Sequence, residues 1–358
     1  MVGLTTPPQQ TESWIVVGGC GFLGRRIVEM LLERGETNVA VFDIRKTFDD
    51  ARVQFFTGDI SNAADLERAF EGRSVVVHSA SPPHGLDAKV YFAVNVDGTR
   101  NVIQSCKNLG IQKLVYTSSA SVSFNGQSLE EADETTPYCE KHLDAYNETK
   151  ALAEKMVLEA NSPSFRVACL RPSAIFGPRD MQCIRTMLDV ARTGKSKVQI
   201  GDNSVIFDYT YVDNLADAHI IAAEKLNDPN SGVAGQAFFI TNDSPVFFWD
   251  FAKMVFDEDG AKNTLSTVLP TWFAIGLAFI VEFFVLLLSP IKKIHPTLTL
   301  FRVRIITQNK YHNIDKAKKL LGYKAKVSLG EGIKRSVKWF KEEEARIAAA
   351  NKESKKQQ

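Results

Sequence analysis

The sequence predicts an α/β fold: a doubly wound parallel sheet, a smaller C-terminal lobe, and one apolar helical segment of different texture. Three observations carry this. Strand-like and helix-like stretches alternate from Trp14, a glycine-rich turn joins the first strand to the first helix, and the rhythm loosens beyond Gly177. WIVVGG is a buried-strand run, RRIVEMLLERG a helix closing in glycine, and NVAVFDI a second strand. VQFFTGD, the helical ADLERAFEG and SVVVHSAS continue the pattern, followed by NVDGTRNVIQSCKNLG and the strand KLVYTSSAS. A helix from about Tyr146 to Ala160 and the strand and loop FRVACLRPSAIFG complete it. Strands that alternate with helices pair in parallel, because each crossover helix returns the chain to the same edge of the sheet.

Composition narrows the class. The 358 residues hold 43 Lys plus Arg against 42 Asp plus Glu, a net charge of +1, so there is no basic footprint for nucleic acid. With 24% charged and 44% hydrophobic residues, the chain has the content of a globular protein. Its length suits two domains, or one large α/β domain with a lobe. The five cysteines show no CxxC or Cys/His metal spacing and read as buried thiols in a reducing compartment. The start, MVGLTTPPQQTES, is too polar for a signal peptide.

The first turn reads Gly18-Gly19-Cys20-Gly21-Phe22-Leu23-Gly24. Glycine at 18, 21 and 24 lets the backbone approach a pyrophosphate and lets helix pack on strand, while the helix N-terminus supplies free N–H groups for the anion. Asp43 ends the second strand 19 residues after Gly24, where a carboxylate meets the ribose of a dinucleotide. Its charge repels a 2′-phosphate and favours NAD; Arg45 offsets part of that repulsion, so NADP stays an alternative. Asp59-Ile60 follows the third strand at the expected height of an adenine edge, although a cap on the next helix is the plainer reading. Ser79-Ala80-Ser81 closes the fourth strand at the carboxyl edge, where such sheets bind ligands.

Tyr146 and Lys150 form a YxxxK on a helix, so phenol and ammonium share a face. A tyrosine base working near neutrality needs its pKa about three units below the reference value near 10, and a neighbouring cation acts in that direction. Thr117, Ser118 and Ser119, at the end of KLVYTSSAS, are the candidates for a hydroxyl partner; otherwise they only satisfy strand-end backbone groups. Glycine turn, acid, serine-bearing strand and YxxxK in this order resemble the extended short-chain dehydrogenase/reductase family, built on a Rossmann sheet. The resemblance implies Ser119 as the substrate-contacting serine, Tyr146 as the proton-transfer residue, and Lys150 as its electrostatic and ribose-binding partner. It further implies that Pro172, Ser173, Ala174 and Ile175, in LRPSAIFGP, line the nicotinamide.

VFDI, HSASPP, YTSSASVSFNG, RPSAIFGPRD and AFFITNDSPVFFW are similar to the 3β-hydroxysteroid dehydrogenase branch, and within it to the decarboxylating sterol 3-dehydrogenases. Ser123-Phe124 departs from the tyrosine many extended members carry there, which weakens a sugar-epimerase reading. The resemblance implies oxidation of the 3β-hydroxyl of a 4α-carboxysterol, with loss of the carboxylate as carbon dioxide, during sterol C4 demethylation. Other enzymes of that sequence are implied as partners, and a homodimer stays open. The alternatives are a 3β-hydroxysteroid dehydrogenase/isomerase or related reductase and, in a different class, a catalytically silent NAD-binding scaffold. The implied division is a flexible N-terminus at 1–12, an NAD-binding domain at 13–178, a substrate lobe at 179–340 with 205–245 partly returning to the sheet, and a charged tail at 341–358.

Between Trp272 and Leu288 the chain carries only Glu282 as charge. A span needs about 20 apolar residues, and a mid-span carboxylate costs about 2.5–3.5 kcal/mol. A single crossing would also split the lobe, because NKYHNIDKAKKLLGY beyond it belongs with the rest. The 270–290 segment is therefore expected to lie in one leaflet, between Pro270 and Pro290, with Trp272, Lys292 and Lys293 at the interface. The ending Lys355-Lys356-Gln357-Gln358 has the form of a dilysine retrieval signal. Together these suggest the cytosolic face of the endoplasmic reticulum membrane, with lipid droplets as a second location; a buried core helix is the competing reading.

Overall fold

The computed structural model describes residues 12–262, 264–288 and 299–356. The expectations for residues 1–11, Pro290, Lys292, Lys293, Gln357 and Gln358, and for the side chains of Lys355 and Lys356, lie outside the described residues. Glu12, assigned to a flexible start, is instead held by the Lys113 ammonium and by Asn227 Nδ2 at 3.1 Å.

The strands run β1 (Trp14–Val17), β2 (Val39–Asp43), β3 (Val53–Thr57), β4 (Val75–His78), β5 (Lys113–Thr117), β6 (Leu129–Ala132), β7 (Arg166–Pro172) and β8 (Ala174–Phe176). β9 (Val198–Ile200), β10 (Ile206–Phe207), β11 (Tyr209–Tyr211), β12 (Gln236–Ile240), β13 (Val246–Phe247), β14 (Thr267–Leu269) and β15 (Lys310–His312) follow. Seven form a sheet in the order β12-β7-β5-β4-β1-β2-β3, with every pairing parallel. Order reverses between β1 and β4, the switch point at which such sheets bind ligands beyond their carboxyl ends.

The helices are α1 (Phe22–Glu33), α2 (Ala63–Phe70), α3 (Ala88–Tyr91), α4 (Thr99–Asn108), α5 (Ala145–Glu159), α6 (Ile184–Arg192), α7 (Val212–Lys225), α8 (Phe248–Asp259), α9 (Thr271–Leu288), α10 (Leu300–Ile306) and α11 (Leu329–Lys356). β1 explains the two-sided burial. Trp14 and Val16 pack with Leu23, Ile27, Leu31, Leu215 and Ile220 from α1 and α7, while Ile15 and Val17 pack with Leu66, Phe70, Val102 and Val157 from α2, α4 and α5. A strand covered on both faces is apolar at every position, and WIVV is buried throughout. Ion pairs bind α1 to α7: Arg26 to Asp213 at 2.7 Å, and Arg34 to Asp217 and to Glu224 at 3.0 Å.

A second sheet, β13-β10-β15-β6, gathers segments from far apart in the chain. The pairs β8–β11 and β9–β14 stitch the lobe together. Cys106 and Cys169 are buried, but Cys20, Cys139 and Cys183 are only half-buried, short of the five buried thiols expected.

α9 stands apart. Its Ala274 and Ala278 pack on Val303 of α10, and one turn further Glu282 Oε1 accepts a 2.8 Å hydrogen bond from the Leu300 N–H. The single charge of the apolar segment thus occupies the start of α10, where a helix has free N–H groups and favours an anion. The rest of α9 is open: Trp272 is 74% exposed, Phe279 63% and Leu286 73%. Among the described residues no helix is long and apolar enough to cross a membrane. The 18 residues of α9 make about 27 Å.

Candidate active site

The glycine turn is sterically closed. A Cβ on Gly24 would lie 2.1 Å from the Gly18 carbonyl oxygen, and one on Gly18, whose φ is +80°, would lie 2.7 Å from the Ala80 backbone. Gly19 is pressed against Val41. Gly21 is looser: its Cβ would meet only the Gly18 carbonyl oxygen, at 3.2 Å. Phe22 and Leu23 open α1, and the Phe22 ring faces Gly177. Asp43 Oδ2 accepts from the Cys20 N–H at 2.9 Å, so the acid is joined directly to the turn. Thr47, which sequence reasoning passed over, donates to the Cys20 carbonyl at 3.1 Å.

Ser79 donates both N–H and hydroxyl to the Val17 carbonyl, bringing Ala80 over Gly18 and leaving Ser81 exposed. Asp59 is not a helix cap: Asn62 caps α2, and the exposed Asp59 carboxylate accepts from the Ser61 N–H and hydroxyl. Ile60 is buried and fills the space against Gly98.

The polar group around Tyr146 is assembled from three elements. Asp144 caps α5, accepting from the Asn147 N–H at 2.8 Å, and so fixes the first turn that carries Tyr146. Ser119 caps the one-turn helix Ala120–Ser123, and its Oγ lies 2.7 Å from Ser121 Oγ. Of the three hydroxyl candidates, Ser119 is the one whose hydroxyl influences the phenol, holding its pKa down. Thr117 lies 2.7 Å from His219 Nε2, and Ser118 Oγ is sealed without a partner among the described residues. Lys150 is buried, donates to the Thr117 carbonyl, and lies 4.4 Å from the Tyr116 ring centroid.

Electrostatics depart from expectation. Burial pushes the Tyr146 phenol up to about 12; the Ser119 hydrogen bond opposes this, while Asp144 and Tyr91 add to it. Lys150 is not among the influences, so a phenol lowered by its lysine is not what this geometry gives. Lys150 is itself drawn down to about 7 by burial, opposed by the Glu154 carboxylate one turn on. Glu154 is fully buried and receives two Nε contacts at 3.1 Å and an Nη2 bond of 2.6 Å from Arg171, as well as the Tyr138 hydroxyl at 2.6 Å.

Ser173 donates to the Asp208 carbonyl at 2.8 Å, Pro172 pairs with Ile240, and Ile175 with Thr210; Ala174 is exposed. Two neighbours carry no sequence motif: His84, whose ring centroid lies 4.1 Å from that of Tyr146, and buried Asn95, which donates to Thr149 at 3.0 Å. A cavity of about 450 Å³ opens between Leu143, three residues ahead of Tyr146, and Thr271, Ile275 and Arg304 of the α9–α10 pair.

Residues 15–271 match the 3-beta hydroxysteroid dehydrogenase/isomerase family. The chain belongs to that family. Among its relatives, the decarboxylating sterol-4-alpha-carboxylate 3-dehydrogenase of Candida albicans is 45% identical over 351 residues, covering 94% of this chain and 99% of the relative. The enzyme of the same name from Mus musculus is 43% identical over 340 residues, 94% of this chain and 93% of the other. Proteins of known structure extend the likeness to the fold alone. A dTDP-glucose 4,6-dehydratase from Bacillus anthracis, in complex with NAD, superposes with a TM-score of 0.70 at 20% identity over 93% of this chain and 98% of the other. A Thermus thermophilus UDP-glucose 4-epimerase complex with NAD gives 0.67 at 23% identity over 92% and 99%.

Proposed function

We propose that the chain oxidises the 3β-hydroxyl of a 4α-carboxysterol to a 3-keto acid, which loses its carboxylate as carbon dioxide, with NAD as oxidant. The observation that carries this is the Ser119–Tyr146 hydroxyl pair with Lys150 one turn on, in a chain that matches relatives of that name along nearly its whole length. The turn at Gly18 and Gly24 fits a dinucleotide, since a Cβ at either position would fill the cradle. Gly18–Gly24 would hold the pyrophosphate, Asp43 the ribose hydroxyls, and Pro172–Ile175 the ring. Asp43 favours NAD over NADP by charge.

A bound oxidised nicotinamide supplies the hydride acceptor and a positive charge that favours phenolate. Tyr146 takes the C3 hydroxyl proton while Ser119 holds the same oxygen. Lys150, held on the Thr117 carbonyl, would bind the cofactor's ribose rather than lower the phenol. Oxidation leaves a carboxylate β to a ketone. As the carbon–carboxyl bond breaks, its electron pair moves onto the ketone oxygen, where Ser119 and Tyr146 stabilise the developing enolate.

The same reading sets α9 along one leaflet of the endoplasmic reticulum membrane, on the cytosolic face, with lipid droplets as a second location. Its open rings, the Glu282 carboxylate turned onto α10, and the return of α10 along α9 support this. The cavity between Leu143 and α9 offers an apolar substrate a path from that surface. Purified protein given NAD and a 4-carboxysterol should form NADH and carbon dioxide together. NADH without carbon dioxide would point to a simple 3β-hydroxysteroid dehydrogenase. Tyr146→Phe should lower turnover about 10²–10⁴-fold; unchanged turnover would refute the assigned proton transfer.

A further inference from the structure

Lys310 is a cation on a largely buried side chain, with no ion-pair partner among the described residues. Its Nζ lies 4.2 Å from the Phe207 ring centroid and 4.7 Å from that of Phe124. Both rings are buried, whereas Lys310 stays partly exposed. Burial draws its ammonium down to about 7, with no charged neighbour contributing. The other lysines in such surroundings differ: Lys113 meets Glu12, Lys150 the Thr117 carbonyl, and Lys316 the Ala237 carbonyl at 2.9 Å. Two aromatic faces offset part of the cost of desolvating an ammonium. An anion would offset far more.

Its position ties it to the site from two sides. Phe124 closes the one-turn helix that Ser119 caps. On the other side, the Lys310 carbonyl accepts from Asp208 N–H at 2.9 Å, and the Asp208 carbonyl accepts from Ser173 Oγ at 2.8 Å. Lys310 therefore lies where the Ser119 segment meets the Ser173 loop, brought there by the pairing of β15 with β10 and β6.

We propose that Lys310 is the contact for the substrate's carboxylate and so determines the preference for an acid at the carbon beside the reacting one. This rests on the sterol-acid reading above. The substrate class supplies one anion, on the carbon next to the C3 whose hydroxyl meets Ser119 and Tyr146. When the carboxylate leaves, negative charge flows toward the ketone oxygen and away from Lys310. A cation that stabilises the starting carboxylate favours binding and does not speed its loss, so its effect belongs in KM.

The test compares a 4α-carboxysterol with its 4α-methyl counterpart, each with NAD, following NADH. Lys310→Met should lower the ratio of kcat/KM for the acid over that for the methyl sterol at least tenfold, through the KM of the acid. Lys310→Arg should restore most of it. If Lys310→Met does not fold, Lys310→Gln gives the same reading. An unchanged ratio, or equal losses on both sterols, overturns the assignment alone. Wild-type protein that oxidises neither sterol overturns the functional reading and this assignment with it.

Discussion

Replacing Gly24 by alanine tests the nucleotide turn where the geometry is least forgiving. The added Cβ would stand 2.1 Å from the Gly18 carbonyl oxygen, 2.8 Å from its carbon and 2.9 Å from Gly19 Cα. Ordinary contact begins at 3.4 Å, and every atom met is main chain, so relief requires the β1–α1 turn to open by about an ångström. Overpacking of this kind costs about 1–3 kcal/mol, which lowers Tm by roughly 1–4 °C for a chain of this length. The same displacement pulls the N–H groups of the turn off an anion. Each charge-assisted bond lost is worth about 1.5–3 kcal/mol, or about ten- to a hundredfold in Kd. Gly21→Ala is the control, since it meets only one oxygen at 3.2 Å with an ordinary φ of −78°. NADH fluorescence titration and thermal melts of both variants read the contrast. Gly24→Ala binding NADH within twofold of wild type at an unchanged Tm would refute the steric argument.

Glu154→Ala leaves the Arg171 guanidinium buried without its acid and should cost about 3–5 kcal/mol in urea unfolding, most of it recovered by Glu154→Leu combined with Arg171→Met. His219 is held down to about 4 by burial, against an ordinary 6.5. Between those values the unfolded chain binds a proton that the folded chain does not, so stability should fall as pH drops through that window. The fall should be shallower in His219→Gln; parallel curves would count against it. Phe279→Glu with Phe283→Glu, on the open face of α9, should abolish co-flotation with phosphatidylcholine vesicles; wild-type protein that does not float removes the leaflet reading.

What the sequence made legible is what short-range chemistry decides. The glycine turn, Asp43, the strand ending in Ser119 and the Tyr146–Lys150 pair all sit within local strand–turn–helix units, and their spacing alone limits where their side chains can point. The sign of the Tyr146 perturbation was not legible, because burial of the phenol depends on His84 and on Tyr91 of α3, both more than fifty residues earlier in the chain. The plainer reading of Asp59, a cap on the next helix, fails because Asn62 takes that place while Asp59 Oδ1 turns to Ser61. The lone charge Glu282 seemed a flaw in an apolar stretch, and only the return of α10 shows its partner, Leu300 N–H, 18 residues on. Lys310 carries no sequence signal at all, because its aromatic neighbours lie 103 and 186 residues away along the chain.

The bond between Asp43 and the Cys20 N–H restrains how this protein can change cofactor. On the NAD reading proposed above, one carboxylate would both repel a 2′-phosphate and hold a donor of the turn that receives the pyrophosphate. A substitution at 43 that welcomes the extra phosphate therefore also releases the turn. The two properties cannot drift independently, and a lineage or an engineer moving from NAD to NADP must supply a new acceptor for Cys20 in the same stroke. Arg45, two residues downstream, already offers the positive charge; the obstacle is the replacement acceptor, and Thr47, whose hydroxyl already donates to the Cys20 carbonyl, is one side chain from which to build it.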